Sequence, residues 1–287
     1  MTPASSAPPP TVIGPLTATL LAAGGIYATW RFFVATRVGQ TLDALALAGS
    51  NIGAWRLDTQ FQTLLGTVSQ PLLIATMALV LVIGGLRREW LMGTIAAGVI
   101  AGANLTTQAL KYWVFDRPVF AGIPTSAGGD NTLPSGHATV GASIAVALLL
   151  VVPPVLRAIT AVAGAVTVTA FGFATLVNQW HRPSDVVAAA LVVCGWAFLG
   201  VGVQRTVQRR VLVRTKPGAM FVVLLLAGIV ALALATGAGY LCWSVSIASA
   251  TRSQLFLAYA GGTALLAGVA ASGTAMVLAM LQSAKRR

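Results

Sequence analysis

The chain has two histidines, and each stands at the edge of a long apolar run. His137 closes the stretch Leu133-Pro134-Ser135-Gly136-His137, and His181 is followed four residues later by Asp185. Upstream lie Lys111 and Arg117, the latter next to Pro118. Only 8% of the 287 residues are charged. In so apolar a chain, ionisable groups gathered at the ends of membrane runs point to one functional site.

These residue types favour an anion, most naturally a phosphate. Ser135 can cap a helix whose first-turn N–H groups then form an anion seat. Gly136 lets a phosphate come close to the backbone. Lys111 and Arg117 supply positive charge, and the arginine fork matches phosphate oxygens. Asp185 can accept a hydrogen bond from one nitrogen of His181 and leave the other bare as a nucleophile. His137 can donate a proton to a leaving oxygen. The chemistry expected is attack by His181, a phosphohistidine, and hydrolysis by water activated near His137. The cations and the helix N-terminus neutralise the developing charge, so no metal and no cofactor are expected. The competing reading, two interfacial histidines making ordinary hydrogen bonds, accounts for either residue alone but poorly for the set.

The elements that must carry these residues are membrane helices. The chain is 57% hydrophobic, with several uninterrupted runs longer than the ~20 residues a helix needs to cross a bilayer. Eight spans are expected, over about 12–34, 64–86, 90–114, 135–152, 158–179, 180–204, 219–243 and 255–281. Pro71 inside the second is tolerable if neighbouring helices cover the freed carbonyl. Between the first two, 36–62 reads as a short amphipathic helix lying on the membrane, with Trp55 at headgroup level. Asn104, Thr107, Gln108 and Lys111 fall on one face of the third span. Asn104 and Gln108 there either line a wet cavity or bond neighbouring helices. Gly98 and Gly102 form a GxxxG that allows close helix approach.

Residues 1–11 are Pro/Ser-rich without a positive n-region and read as a disordered tail rather than a signal peptide. The core is expected over 12–204, a basic cytoplasmic loop over 205–217, and two further spans with a basic tail over 218–287. Cys194 and Cys242 lie inside apolar runs with no paired spacing, so neither a disulfide framework nor a zinc site is expected. The formal charge of +12 sits between apolar runs, which speaks for topology and against nucleic acid. An inner N-terminus puts eleven Lys and Arg in inner segments and seven in outer ones, three of these in the candidate site. Both termini are therefore expected in the cytoplasm, and the motifs at the outer face of a plasma membrane.

Lys111…Arg117-Pro118, then Pro134-Ser135-Gly136-His137, then His181…Asp185 resemble the three signatures of the type-2 phosphatidic acid phosphatase superfamily. That superfamily comprises membrane lipid phosphatases akin to vanadium haloperoxidases. The resemblance implies an all-α polytopic bundle with a six-helix phosphatase-like core, here followed by two extra C-terminal transmembrane helices. It gives His181 the role of nucleophile, Asp185 that of its orienting partner and His137 that of general acid. Lys111, Arg117, Ser135 and Gly136 resemble the phosphate ligands.

The chain departs from the pattern twice. Lys111 and Arg117 have five residues between them where the family has six. On a continuous helix six steps turn Arg117 about 120° off the Lys111 face, but Pro118 disfavours helix at Arg117, and a loop can absorb the difference. More seriously, Ala174-Thr175 replaces the Ser-Arg that opens the third signature, so one phosphate-binding arginine is missing. Arg182, beside the nucleophile, is expected to supply that charge. The function expected is a metal-independent lipid phosphate or diphosphate phosphatase, its substrate a polyprenyl diphosphate, phosphatidic acid or a phosphatidylglycerol phosphate. The alternative is a non-catalytic lipid-phosphate-binding membrane protein, on account of Thr175.

Overall fold

The computed structural model describes residues 12–52, 62–63, 65–67, 70–124, 131–208, 211–212 and 218–285. The expectations for 1–11, Trp55, most of the basic loop and the last two arginines lie outside these residues. Nine helices form among them, α1 (Ile13–Thr29), α2 (Arg37–Ser50), α3 (Gln70–Leu86), α4 (Trp90–Ala109), α5 (Gly136–Val151), α6 (Arg157–Val177), α7 (Pro183–Val207), α8 (Ala219–Leu241) and α9 (Arg252–Gln282). The only strand pairing among the described residues joins Val211–Leu212 to Ala284–Lys285, antiparallel. Every apolar run forms a helix. Five helices are long and apolar enough to cross a membrane, or six if the bent pair formed by α1 and α2 is one span. Gln70–Leu86 and Gly136–Val151 are apolar but shorter.

Local sequence explains most of the boundaries. α1 runs on through a π-helical turn, Trp30–Val34, and α2 then leaves at 84°. Thr36 marks the break, its Oγ1 accepting from the Gly39 N–H at 3.0 Å as an N-cap. α3 begins at Gln70, later than the apolar run. Pro71 therefore falls in the first turn, where its missing N–H costs nothing, and needs no cover from neighbours. α4 also ends in a π-helical turn, Leu110–Val114, and the chain becomes extended at Phe115. The helix thus stops before Arg117-Pro118, as the proline requires. Pro183 opens α7 at a first-turn position.

The core is built from small side chains. One buried cluster joins Ala96, Ala97, Ile100 and Ala103 of α4 with Ala142, Val146 and Leu150 of α5, and with Val192, Val193 and Ala197 of α7. Small residues let membrane helices approach closely, and the larger side chains Leu20, Leu21, Ile74, Leu105 and Leu234 face outward. Of the GxxxG pair, only Gly102 is at a contact, where a Cβ would run into the Trp196 ring of α7; Gly98 faces open space. Cys194 and Cys242 are free thiols.

Of the helices long enough to cross a membrane, α7 is the most buried and α8 the least. α9 is no outlying accessory. It packs on α8, α2, α6 and α7, and its Ala270, Ala275 and Leu278 belong to the central cluster.

Candidate active site

The site lies where the end of α4 and the starts of α5 and α7 meet. Ser135 is the N-cap of α5, its Oγ accepting from the Ala138 N–H at 3.3 Å. Its own N–H donates to the Asp185 carbonyl at 2.9 Å, which ties the starts of α5 and α7 together. Below it, the hydroxyls of Thr107 and Thr139 meet at 2.9 Å and join α4 to α5. At Gly136 a Cβ would meet nothing within 4 Å, so the space over the first turn of α5 is open to a ligand approaching its N–H groups.

His181 is placed by the way α6 ends. Gln179 takes a left-handed conformation (φ 60°). The Gln179 N–H donates to Leu176 O at 3.1 Å and the Trp180 N–H to Thr175 O at 3.0 Å. This is a Schellman turn with glutamine in the position glycine usually takes, a conformation that costs a non-glycine residue roughly 1–2 kcal/mol. The Gln179 side chain explains its retention, donating to Leu47 O at 2.7 Å and to the Ser50 Oγ. The turn leaves His181 outside both helices, its N–H held by Thr175 O at 3.2 Å.

Asp185 is fully buried, and one of its oxygens organises the surroundings. Oδ2 accepts from Thr132 Oγ1 at 2.7 Å, from the Arg182 N–H at 3.0 Å and from His181 Nδ1 at 3.3 Å. A carboxylate partner fixes the proton on Nδ1 and leaves Nε2 with its lone pair; no described residue bonds Nε2. The expected pairing of His181 with Asp185 is thus made from an extended segment before α7 rather than along a helix turn. The His137 ring lies 6.4 Å from the His181 ring and 5.1 Å from that of Trp180.

Arg117 faces the other oxygen of Asp185, with Nη2 3.5 Å from Oδ1. Its Nε, Nη1 and Nη2 are buried and have no hydrogen-bond partner among the described residues. Burial lowers the Arg117 pKa from its ordinary value, and the charge of Asp185 opposes that shift. Lys111, in the last turn after α4, is within electrostatic reach of Asp185. Arg182 is buried beside His181 and donates from Nη2 to Pro124 O at 3.1 Å.

Sequence reasoning and structure agree at Asn104 and Thr107 and part company at Gln108. Thr107 and Asn104 turn inward, Asn104 Nδ2 donating to Ile100 O at 2.8 Å and to Ser143 Oγ at 3.2 Å. Asn104 therefore bonds a neighbouring helix. Gln108 is exposed and is not part of that face, because a polar face centred on 104, 107 and 111 leaves 108 at its margin. Thr175 is fully buried, its Oγ1 donating to Gly172 O at 2.8 Å.

Sequence reasoning also missed two residues beside the second motif. Thr132 bonds Asp185, and Asn131 Nδ2 holds the carbonyls of Phe115 at 2.9 Å and Leu133 at 3.0 Å. Their position just before Leu133-Pro134 was the only available signal, and it says nothing about their partners.

Comparison with curated proteins and with solved structures yields no match. A comparison with family models does. The PAP2 superfamily model matches residues 92–211, a range that runs from α4 through α7 and holds all three motifs. It leaves out α1–α3, α8 and α9. The chain is a multi-pass membrane protein in which residues 92–211 form a PAP2 superfamily domain, of a superfamily whose members are in general metal-independent phosphatases.

Proposed function

We propose that the protein hydrolyses a lipid phosphate or diphosphate through a phosphohistidine on His181. The observation that carries this reading is the pair of histidine rings 6.4 Å apart, only one of them held by a buried carboxylate. That asymmetry supports giving the two histidines different roles. His181, with Nδ1 on Asp185, presents Nε2 to phosphorus; His137 gives its proton to the leaving oxygen as the P–O bond breaks. Water then attacks the phosphohistidine, loses its proton to His137 and releases phosphate, returning both histidines to their starting states. Arg117, Lys111 and the N–H groups after Ser135 and Gly136 hold the phosphoryl oxygens, and their charge counters the negative charge of the transition state. Arg182 supplies the charge that Thr175 lacks. Its burial beside His181, with its charge felt at Asp185 and Arg117, supports that role.

The reading places the site at the outer face of a plasma membrane with both termini inside, on the distribution of Lys and Arg. An outward site suits lipid phosphates released there, such as a polyprenyl diphosphate; phosphatidic acid and phosphatidylglycerol phosphate share the same chemistry. Helices α1–α7, which precede the basic loop, act as the catalytic bundle, with α8 and α9 buttressing it. Labelling checks the orientation. In intact cells a membrane-impermeant thiol reagent modifies Val119→Cys and not Gln208→Cys; the reverse pattern overturns it.

The deciding experiment is phosphate release by the purified protein in detergent with EDTA, from polyprenyl diphosphate, phosphatidic acid and phosphatidylglycerol phosphate. Release that falls by roughly 10³-fold or more in His181→Ala supports the mechanism. Release retained in that variant sinks it. Arg182→Ala with unchanged turnover and substrate affinity removes Arg182 from the site. Thr175, whose hydroxyl is spent on Gly172 O, favours one second reading, a lipid-phosphate-binding protein without turnover. Binding of phosphate without release from any lipid is its signature.

A further inference from the structure

α2 lies outside the family match, yet it bonds three segments of the site frame. Four of its positions, 40, 43, 47 and 50, recur at helical spacing and share one face. Gln40, Asp43 and Ser50 are buried polar residues, and each is bonded to a different segment. Gln40 Nε2 donates to Val34 O at 2.7 Å and to Pro118 O at 2.8 Å, next to Arg117. Asp43 accepts from the Ser184 N–H at 3.3 Å and from the Ser184 hydroxyl, next to Asp185. Ser50 Oγ donates to Leu176 O at 2.9 Å, and Leu47 O accepts from Gln179, within the turn that delivers His181.

The helix is closely packed at both ends. A Cβ at Gly39 would strike the Phe32 carbonyl oxygen, and one at Gly49 the Leu255 carbonyl oxygen of α9. Its N-terminal Arg37 also donates to Ala121 O at 2.9 Å. A buried carboxylate with no cation bonded to it is costly. Its sole hydrogen-bonding partner among the described residues, Ser184, belongs to the first turn of the nucleophile helix.

We propose that α2 is a positioning element for the site, with Gln40 fixing the Arg117–Pro118 segment and Asp43 fixing the start of α7. Their common helix then sets the distance between the phosphate-binding arginine and the His181–Asp185 pair. Asp43 and Gln40 touch no substrate; they act through Ser184 and Pro118. The kinetic part of this inference rests on the phosphatase reading, and the exchange part does not.

The test uses the full chain in detergent, with Asp43→Ala, Asp43→Asn, Gln40→Ala and Ser184→Ala. Amide hydrogen exchange rises at 181–187 in Asp43→Ala and at 117–124 in Gln40→Ala, each variant leaving the other segment as in wild type. Unchanged exchange at both segments overturns the proposal, even if wild type releases no phosphate. Where wild type turns over, Asp43→Ala lowers kcat at least tenfold with KM within twofold. Asp43→Asn, which keeps an oxygen for Ser184 to donate to, recovers most of the loss. Should Asp43→Ala fail to fold, Ser184→Ala removes the hydroxyl bond from the other side, leaves the N–H bond, and lowers kcat in the same direction. Unchanged kcat in folded Ser184→Ala and Asp43→Ala refutes the role.

Discussion

The two ends of the helix bundle use arginine in opposite ways. At the end remote from the motifs, arginines meet helix C-termini. Arg87 donates to Val151 O at the end of α5. Arg157 Nη1 donates to Leu281 O at 3.1 Å, and Arg205 Nη2 to Met280 O at 2.8 Å and Ser283 Oγ at 2.9 Å, at the end of α9. Helix C-termini carry partial negative charge and unpaired carbonyls, so a guanidinium there satisfies both. At the motif end, Arg117 stands near the positive N-termini of α5 and α7, with an ion pair to Asp185 and no hydrogen bond among the described residues. The same residue type thus completes the structure at one pole. At the other it adds positive charge where the helix poles are already positive, an arrangement that favours an anion.

Five substitutions sharpen or break that contrast. Asp185→Asn has the largest effect. It removes the charge that fixes the His181 tautomer, and kcat falls by about 10³–10⁴-fold, as loss of the carboxylate does in hydrolytic triads; steady-state phosphate release measures it. Arg117→Lys keeps the charge and loses the fork, so kcat/KM falls about 100-fold. The thermal midpoint without ligand is unchanged or higher, because no hydrogen bond is broken. A fall in stability without loss of turnover would make Arg117 a structural arginine like those at the other pole.

Arg205→Leu gives the converse result. It strips charged hydrogen bonds from α9 and costs about 1.5–3 kcal/mol of stability, read by thermal unfolding in detergent, while kcat/KM stays within twofold of wild type. The smallest effects come from two caps at the motif end. Ser135→Ala and Thr251→Ala each remove an N-cap worth about 1 kcal/mol. Only Ser135→Ala also slows phosphate release, since Thr251 caps α9 through Gln254 away from the histidines.

The positive-inside count is explained in part by these pairings. Arg87, Arg157 and Arg205 were read as topological signals, and each also bonds a helix end. A residue's charge is visible in sequence; the carbonyl it meets is not.

Much of the frame was legible. Apolar runs gave the helices, Ser135 a cap and Pro118 a helix end. The three motifs gave the residues that converge, because two histidines, an aspartate and an Arg-Pro at the ends of apolar runs fit one anion site. Those features are local: propensity, capping and periodicity act within a few residues of one another.

What only the tertiary structure decided lies at long range. Asp43 and Ser184 are 141 residues apart, and Gln40 and Pro118 are 78 apart. Gln108 faces outward while Thr107 meets Thr139, a choice of a few tens of degrees in helix rotation that periodicity leaves open. α9 packs among the core helices although it and peripheral α8 both read as apolar spans, because apolarity alone does not tell lipid from protein. The sequence by itself determined which chemistry the chain could carry and that helices would carry it. Packing decided which buried polar groups hold the reacting residues in place, since a hydrogen bond between distant segments exists only once the backbone brings both to one point.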